Sequence, residues 1–520
     1  MSLNLSKKAI LKKTAQFGFV TFFSRILGII REMLVARILG VGVISDAFLT
    51  ALKLPSFLRR ILAEGSLSAA FVPVFVRKVK EGDKQEANGL MSATFLFFEG
   101  IVFLLIIFVA FFPNLVFMVA APGFTQEQLT YAVPFLRILF PMIFFFSASA
   151  LLAGALNSVN HVLIPALGPV INNIFFIAFL LGAKFLNFSV TTVCFGVLLS
   201  SFVVFLIHVY AYLKYNFSFS HPTQESIKSL KSVIKKFVPS LFGVSIIEIN
   251  LFVDTSVASF LNAGSISMLT YAGRFMNMPI GIFAVSFATI LLPHFSRCAT
   301  YAPKRLNFQI LETTKFITWL LLPTMIFLMF VSQEIFTNLM FGKATTLQNS
   351  MTAKWLLIIY LSALVFYALN KILVNVFYAL HDTVSPTIAL AISAVINLIL
   401  NITGMYYLGI YGIAAATSVA GIVLTILYFY FLNKKFNFKF YYANYFKFLA
   451  KYLLQIIFVS ALFLVIYCAI FFALGYTQYF NFFKNTVGYW LIVSPLVVFA
   501  AFLLYKTKKL FGVKIYYLSK

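Results

Sequence analysis

Between residues 24 and 64 two apolar stretches carry more charge than a membrane-spanning helix ordinarily holds. FFSRILGIIREMLVARILG places Ser24, Arg25, Arg31, Glu32 and Arg37 in one helix-length run, and SDAFLTALKLPSFLRRILAEG follows with Asp46, Lys53, Arg59, Arg60 and Glu64. A charge near the centre of a bilayer costs on the order of 3 kcal/mol on insertion scales, so such residues must face water, a partner or a substrate. Arg25, Arg31, Arg37, Lys53, Arg59 and Arg60 outnumber Glu32, Asp46 and Glu64, and the later segment LTYAGRFMNMPIGIF adds Arg274 to the surplus. A hydrated cationic cavity suits a multiply charged anion such as a pyrophosphate, which guanidinium groups grip through paired hydrogen bonds. The chain has ten Arg against thirty Lys, yet five of the ten lie between Arg25 and Arg60. Arginine kept against a lysine-rich background points to planar recognition more than to bulk charge.

At 3.6 residues per turn Asp46, Thr50, Lys53, Arg60 and Glu64 share one helix face. Pro55 interrupts that stripe, removing a backbone donor, and is expected to kink or locally unwind the helix. Arg274 and Asn277 precede Pro279 in the same way. The competing reading is that these charges only pair and glue helices together; Arg60 and Glu64, four apart, have the spacing for it.

A second constellation consists of oxygen donors: Asp254, then Asn397 and Asn401 on one helix face, and Thr417. One carboxylate with amides and a hydroxyl suits a hard cation such as sodium, and polar contacts between neighbouring helices are the alternative. No other cofactor is suggested. The five histidines (His161, His208, His221, His294, His381) form no HExxH, GxSxG is absent, and FGK at 341–343 lacks the upstream glycine of a phosphate-binding loop. Cys194, Cys298 and Cys468 are too scattered for a zinc site or a disulfide framework. The sequence is thus expected not to encode an enzyme.

The elements that position these residues must be lipid-embedded helices. Of 520 residues 62% are hydrophobic and 10% charged, with a mean hydropathy of +0.98, where a soluble chain would carry about a quarter charged residues. The apolar runs have helical length, not the short alternation of barrel strands. The abundant Phe and Lys fit codon drift toward A and T, and carry no function by themselves. Fourteen spans are predicted, near 16–40, 47–76, 89–112, 131–154, 163–183, 190–213, 238–261, 268–294, 308–331, 354–378, 386–407, 411–432, 452–474 and 487–505. Even-numbered connections hold the basic residues (Arg77 to Lys84, Lys214 to Lys236, Arg297 to Arg305, Lys434 to Lys451), as does the tail from Lys506 to Lys520. Both termini are therefore expected on the cytoplasmic side, and the +26 net charge reads as positive-inside bias and not as nucleic-acid binding. No cleavage site follows Lys7, Lys8, Lys12 and Lys13, so the first helix is expected to be retained.

An internal repeat organises the spans. AAFVPVFVR ending at Arg77 matches ATILLPHFSR ending at Arg297, Pro55 matches Pro279, and Pro165 matches Pro386, at offsets of 220, 224 and 221. The expected division is an N-terminal lobe of six spans over 1–221, a cytoplasmic amphipathic linker over 222–237, a C-terminal lobe of six spans over 238–433, and two further spans with a basic tail over 434–520. An even number of spans per repeat gives both lobes the same orientation in the membrane.

SRILGIIREMLVARILG, SDAFLTALKLPSFLRRILAEGSLSAAFVPVF and YAGRFMNMPIGIF with ATILLP resemble the MurJ (MviN) family, flippases of the peptidoglycan precursor lipid II. The blocks are specific at 24–73 and 268–297, and the span number and repeat are similar over essentially the whole chain. The resemblance implies an all-α integral membrane fold related to multidrug and polysaccharide exporters, with two six-helix lobes around a cationic cavity and two C-terminal helices lining a groove for the isoprenoid tail. It implies that Arg25, Arg31, Arg59 and Arg274 engage the substrate, with Ser24, Lys53 and Arg60 beside them and Asp46 and Glu64 as supporting acids. A family sodium site of Asp, Asn, Asp and Thr falls on Asp254, Asn397, Asn401 and Thr417, with Asn401 in place of the second acid. Other departures are Glu32 for Asp, Ser56 for Asn, and Gly273 for the acid before the later cavity arginine. Periodicity puts Arg60 on the polar face whereas the resemblance selects Arg59; a phase shift at Pro55 would favour Arg59. The function implied is alternating-access transfer of lipid II across the bacterial inner membrane, with cell-wall synthesis proteins as partners. A flippase for another polyprenyl-pyrophosphate-linked oligosaccharide, or a multidrug exporter of the same fold, is the alternative; a drug exporter should have an acidic, aromatic cavity instead of a basic one.

Overall fold

The computed structural model describes residues 7–61, 67–81, 83–159, 161, 163–341 and 346–518, with only the backbone of 7–17 and of a few other helical positions. The described residues are helical and form two compact units, Met1–Ser267 and Met268–Lys520.

Unit 1 contains α1 (Lys7–Leu39), α2 (Val43–Arg59), α3 (Ser68–Lys80), α4 (Lys84–Phe111), α5 (Pro113–Ala120), α6 (Gln126–Leu139), α7 (Met142–Ser158), α8 (Leu163–Phe185), α9 (Val190–Lys214) and α10 (Gln224–Ala258). Polar residues start several of them as N-caps: Asp83 accepts from the Glu86 amide at 2.9 Å, Thr125 and Gln128 form a reciprocal capping box, and Ser189 and Thr223 cap α9 and α10. Pro113 opens α5, where its missing N–H costs nothing. The expected surface segment 222–237 and the seventh span are one continuous helix, α10, which packs on α3, α4 and α5. Phe71, Phe75, Leu90, Met91, Leu151, Leu152, Tyr212 and Phe237 form the buried apolar centre joining α3, α4, α7, α9 and α10. On the other side α1 lies along α8, and α2 along α6 and α7.

α11 (Ser265–Pro279) begins at the end of unit 1. Unit 2 continues through a π-helical turn (Ile280–Val285), α12 (Ser286–Tyr301), α13 (Pro303–Phe330), α14 (Ser332–Glu334), a second π-helical stretch (Ile335–Phe341), α15 (Leu347–Leu361), α16 (Leu364–Ala379), α17 (Val384–Leu408), α18 (Ile410–Phe436), α19 (Tyr442–Gly475), α20 (Phe480–Asn485) and α21 (Tyr489–Thr507). α17 and α18 are joined by Gly409 alone, at φ 59°, and Gly404 and Gly412 bring the two backbones so close that a Cβ on Gly412 would overlap the Gly404 carbonyl. α19 and α21 pack against each other, and α19 packs on α13 around Tyr452, Ile456, Val459 and Leu504. The tail folds back onto α13, where the Tyr516 amide donates to Glu312 Oε2 at 3.1 Å and the Tyr517 hydroxyl donates to Gln309 Oε1 at 3.0 Å.

Large side chains such as Leu104 (66% exposed), Val465 (66%) and Val498 (70%) point outward from mid-helix positions, which is stable only with lipid as solvent. Ten helical stretches among the described residues are long and apolar enough to cross a membrane, or eleven with the bent pair α15–α16. The other three expected spans lie in α1, α2–α3 and α10, the elements that carry the charges singled out above.

Candidate functional site

The charged residues of α1 are held by α8. Asn173, buried in PVINNIF, accepts from Arg31 Nη1 at 2.9 Å and donates to the Ser24 carbonyl at 3.0 Å, so one amide binds two of the expected site positions. Arg31 Nη2 also reaches Glu32 at 2.5 Å, and its guanidinium carbon sits 5.3 Å from the centre of the Phe176 ring. This arrangement fixes the long side chain in one rotamer, which removes much of the entropy it would lose on gripping an anion. Arg25, one turn and a half earlier, is exposed.

The polar stripe of α2 meets α10 and the segment after it. Asp46 is buried and accepts from the amides of Gly264 at 2.6 Å and Ser267 at 2.7 Å, so its carboxylate caps the first turn of α11. Lys53 donates to the Thr255 hydroxyl. Arg60 Nε donates to Glu248 at 2.6 Å, a cross-helix pair. Glu64 lies outside the described residues. Arg59 turns elsewhere, with its guanidinium 4.8 Å from the ring centre of Phe146 in α7. Neighbours in sequence thus have different work: Arg60 belongs to an ion pair, Arg59 lies on an aromatic face.

Pro55 does not break α2. The helix runs through it and changes to π-type bonding at Arg60–Ile61, and after Pro279 the chain does the same at Ile280–Val285. Each proline removes a backbone donor. The helix is regular from Lys53 to Arg59, so the 3.6 periodicity that put Arg60 beside Lys53 holds: both side chains meet α10, while Arg59 faces α7. Arg274 lies on α11 within unit 2, exposed, and Asn277 one turn on donates back to the Gly273 carbonyl at 2.9 Å.

The second constellation is divided between the units. Asp254 belongs to α10 in unit 1, while Asn397 and Asn401 of α17 and Thr417 of α18 belong to unit 2. Asn401 Nδ2 donates to Asn397 Oδ1 at 3.0 Å, and the Thr417 hydroxyl donates to the Ile413 carbonyl at 3.1 Å. Both bonds are intrahelical, the first within α17 and the second within α18, and the three unit 2 residues include no carboxylate. No step of the function below is routed through sodium. Among the described residues no three His, Cys, Asp or Glu side chains converge as a metal site.

Asn173, Phe176, Phe146, Glu248 and Thr255 are partners that the sequence reading did not reach. Glu248 had a signal: it is an acid inside the apolar run SIIEINLF, and every such acid requires a reason. The aromatic partners had none, because they are a few among 65 Phe.

These features, two units of lipid-exposed helices with arginines retained inside apolar spans, define a multi-pass membrane transporter. The fold is similar to that of an inward-facing multidrug resistance MATE family transporter of the MOP superfamily, with a TM-score of 0.67, 17% identity, and coverage of 78% of this chain and 93% of that one. It is more similar to the lipid II flippase MurJ in an inward closed conformation, at a TM-score of 0.77 and 28% identity over 95% of this chain and 98% of that one. The model of the family "Lipid II flippase MurJ" matches residues 35–488. The probable lipid II flippase MurJ of Buchnera aphidicola subsp. Acyrthosiphon pisum is 31% identical over 80% of this chain and 83% of its own. The lipid II flippase MurJ of Thermosipho africanus is 32% identical over 83% and 87%. The chain belongs to the MurJ family, and is a multi-pass protein of the bacterial inner membrane.

Proposed function

We propose that the protein moves lipid II from the inner to the outer leaflet of the cytoplasmic membrane by alternating access, with the pyrophosphate gripped by Arg25, Arg31 and Arg59 and with Arg274 required for the same transport. The observation that carries this reading is the state of Arg31: held by Asn173 and Glu32 and set over Phe176, it is a prepositioned guanidinium in an apolar span. Arg60 is assigned to the contact of α2 with α10 through its pair with Glu248. Lys53 and Asp46 act as supports that tie α2 to Thr255 and to residues 264–267. No bond is made or broken, so the residues need only bind, orient and release. The membrane potential supplies about 2.3 kcal/mol per charge per 100 mV.

The reading includes fourteen spans with both termini cytoplasmic, supported by the charge-bearing even connections and by α1, α2–α3 and α10 as charged spans. The isoprenoid tail is assigned to lipid alongside α19 and α21, whose outward faces are apolar. Release at the outer leaflet places the protein in the company of the enzymes that polymerise the precursor.

Native mass spectrometry of the purified protein with lipid II tests this, comparing wild type with Arg31→Ala and Arg59→Ala. Binding selective over phosphatidylglycerol, and lost in both variants at unchanged expression, is the expected result. Equal binding of the two lipids, or variants that bind as well as wild type, would remove the arginines from the site.

A further inference from the structure

Glu99 sits near the centre of α4, one of the most apolar spans of the chain, and is only 3% exposed. Neither carboxyl oxygen has a hydrogen-bond partner among the described residues. The polar group beside it is the Ser147 hydroxyl of α7, itself buried and without a partner at hydrogen-bonding length. Ser92, two turns earlier on the same face of α4, is also buried with its hydroxyl unpaired. Phe98 packs on Phe237 of α10 at 4.9 Å between ring centres, and Val102 closes the seam one turn above.

Among the described residues no cation balances this carboxyl. α4 packs on α3, α5, α7 and α10. α5 and α7 have no charged side chain. The charges of α3 are Arg77, Lys78 and Lys80 in its last turn, with Arg77 on Glu81 and Lys78 on Glu225. On α10, Glu225, Lys228 and Lys231 precede the level of Phe237, Lys235 and Lys236 are exposed, Glu248 holds Arg60, and Asp254 is two turns further on. Glu86 on α4 itself accepts from Thr223 and Ser226. An ionised Glu99 would have neither water nor a counter-ion, and a buried carboxyl in that position takes up a proton instead.

We propose that Glu99 is a proton-binding site of unit 1: in the packed form its carboxyl is neutral and donates its O–H toward Ser147, and it gives up the proton to water only when the α4–α7 seam opens. The exchange is balanced by the aqueous phase alone, because the carboxylate takes one proton from water on closing and returns it on opening. Proton occupancy is thereby linked to the packing of α4 on α7, and alkaline conditions favour the opened seam. The inference does not depend on which lipid is carried.

Infrared difference spectroscopy of the full chain in lipid nanodiscs tests it directly. Wild type at neutral pH is expected to show the carbonyl band of a protonated carboxyl, shifted in heavy water and missing in Glu99→Gln. In parallel, dicyclohexylcarbodiimide, which attacks protonated carboxyls in apolar surroundings, should label Glu99 while leaving unmodified Glu248, paired with Arg60, and Glu312, paired with Lys315 at 2.7 Å. Once pH exceeds the titration midpoint, labelling should fall about tenfold per pH unit. Identical infrared spectra for wild type and Glu99→Gln overturn the proposal. If the variant fails to fold, labelling of wild type decides alone: equal modification of Glu99 and Glu248, or none at Glu99, is the refuting result.

Discussion

The Arg60–Glu248 pair makes the clearest quantitative claim about which of two adjacent arginines handles substrate. Its Nε–Oε2 distance is 2.6 Å, with the Glu248 side chain 9% exposed and that of Arg60 35% exposed. Breaking a fully buried pair from one side costs about 3–5 kcal/mol. Arg60 can recover some water, so the lower part of the range for a charged hydrogen bond applies, and Glu248→Ala should cost about 2 kcal/mol. For a unit of this size that corresponds to a fall in melting temperature of roughly 5 °C. Replacing both members, as Arg60→Met with Glu248→Ala, leaves no orphaned charge and should recover about 1 kcal/mol of the sum of the single losses. Thermal unfolding of the detergent-purified protein, followed by size-exclusion fluorescence, measures all three. A single-variant cost below about 0.5 kcal/mol, or a strictly additive double variant, refutes the pairing. Lipid II binding should survive in every variant that folds. Arg60→Met that keeps its stability but loses lipid II would return Arg60 to the substrate site and displace Arg59.

Three further outcomes follow from other contacts. Asn173→Leu removes the bonds to Arg31 and to the Ser24 carbonyl, and should weaken lipid II binding about tenfold, equivalent to about 1.4 kcal/mol, in a native mass spectrometry titration. Gly412→Ala forces a Cβ into the Gly404 carbonyl and should cost about 1–3 kcal/mol in thermal stability, whereas Gly100→Ala, with open space around it, should cost nothing measurable. Asp382, in the turn before α17, is pushed up by burial, but the hydrogen bonds from Lys435 and Ser385 and the Lys435 charge outweigh that and hold it below its ordinary value of 3.8. A depressed carboxyl stabilises the fold above its unfolded value and loses that contribution as pH falls through the folded one. Wild type should therefore weaken on acidification below about pH 4, and Lys435→Met should show less of that dependence in the same unfolding assay.

The helices were legible because lipid leaves so few choices: long apolar runs must be spans. Arg25, Arg31 and Arg59 were legible because a guanidinium in such a run is anomalous. What the sequence concealed was the partner of each. Arg31 has Asn173 in another span, 142 residues away, besides its neighbour Glu32, and Arg60 has a Glu 188 residues away. Neither distant partner has a signal in local spacing. The structure puts Arg60 on Glu248 of α10, on the same side as Lys53, as a regular helical wheel expects, and Arg59 on Phe146 of α7, a partner without a signal in the sequence. The oxygen donors of the second constellation have the composition of a cation site, and the Asn401–Asn397 bond within α17 neither requires nor opposes one.

The Gly409 turn has a consequence for how the chain is made. With one residue between α17 and α18, there is no hydrophilic loop for the translocation machinery to export between the two segments. The first cannot settle across the bilayer as a finished span and wait for the second, since its end is already the beginning of the next. The short turn favours entry of the pair as one hairpin, with Gly404 and Gly412 in contact beside its closed end.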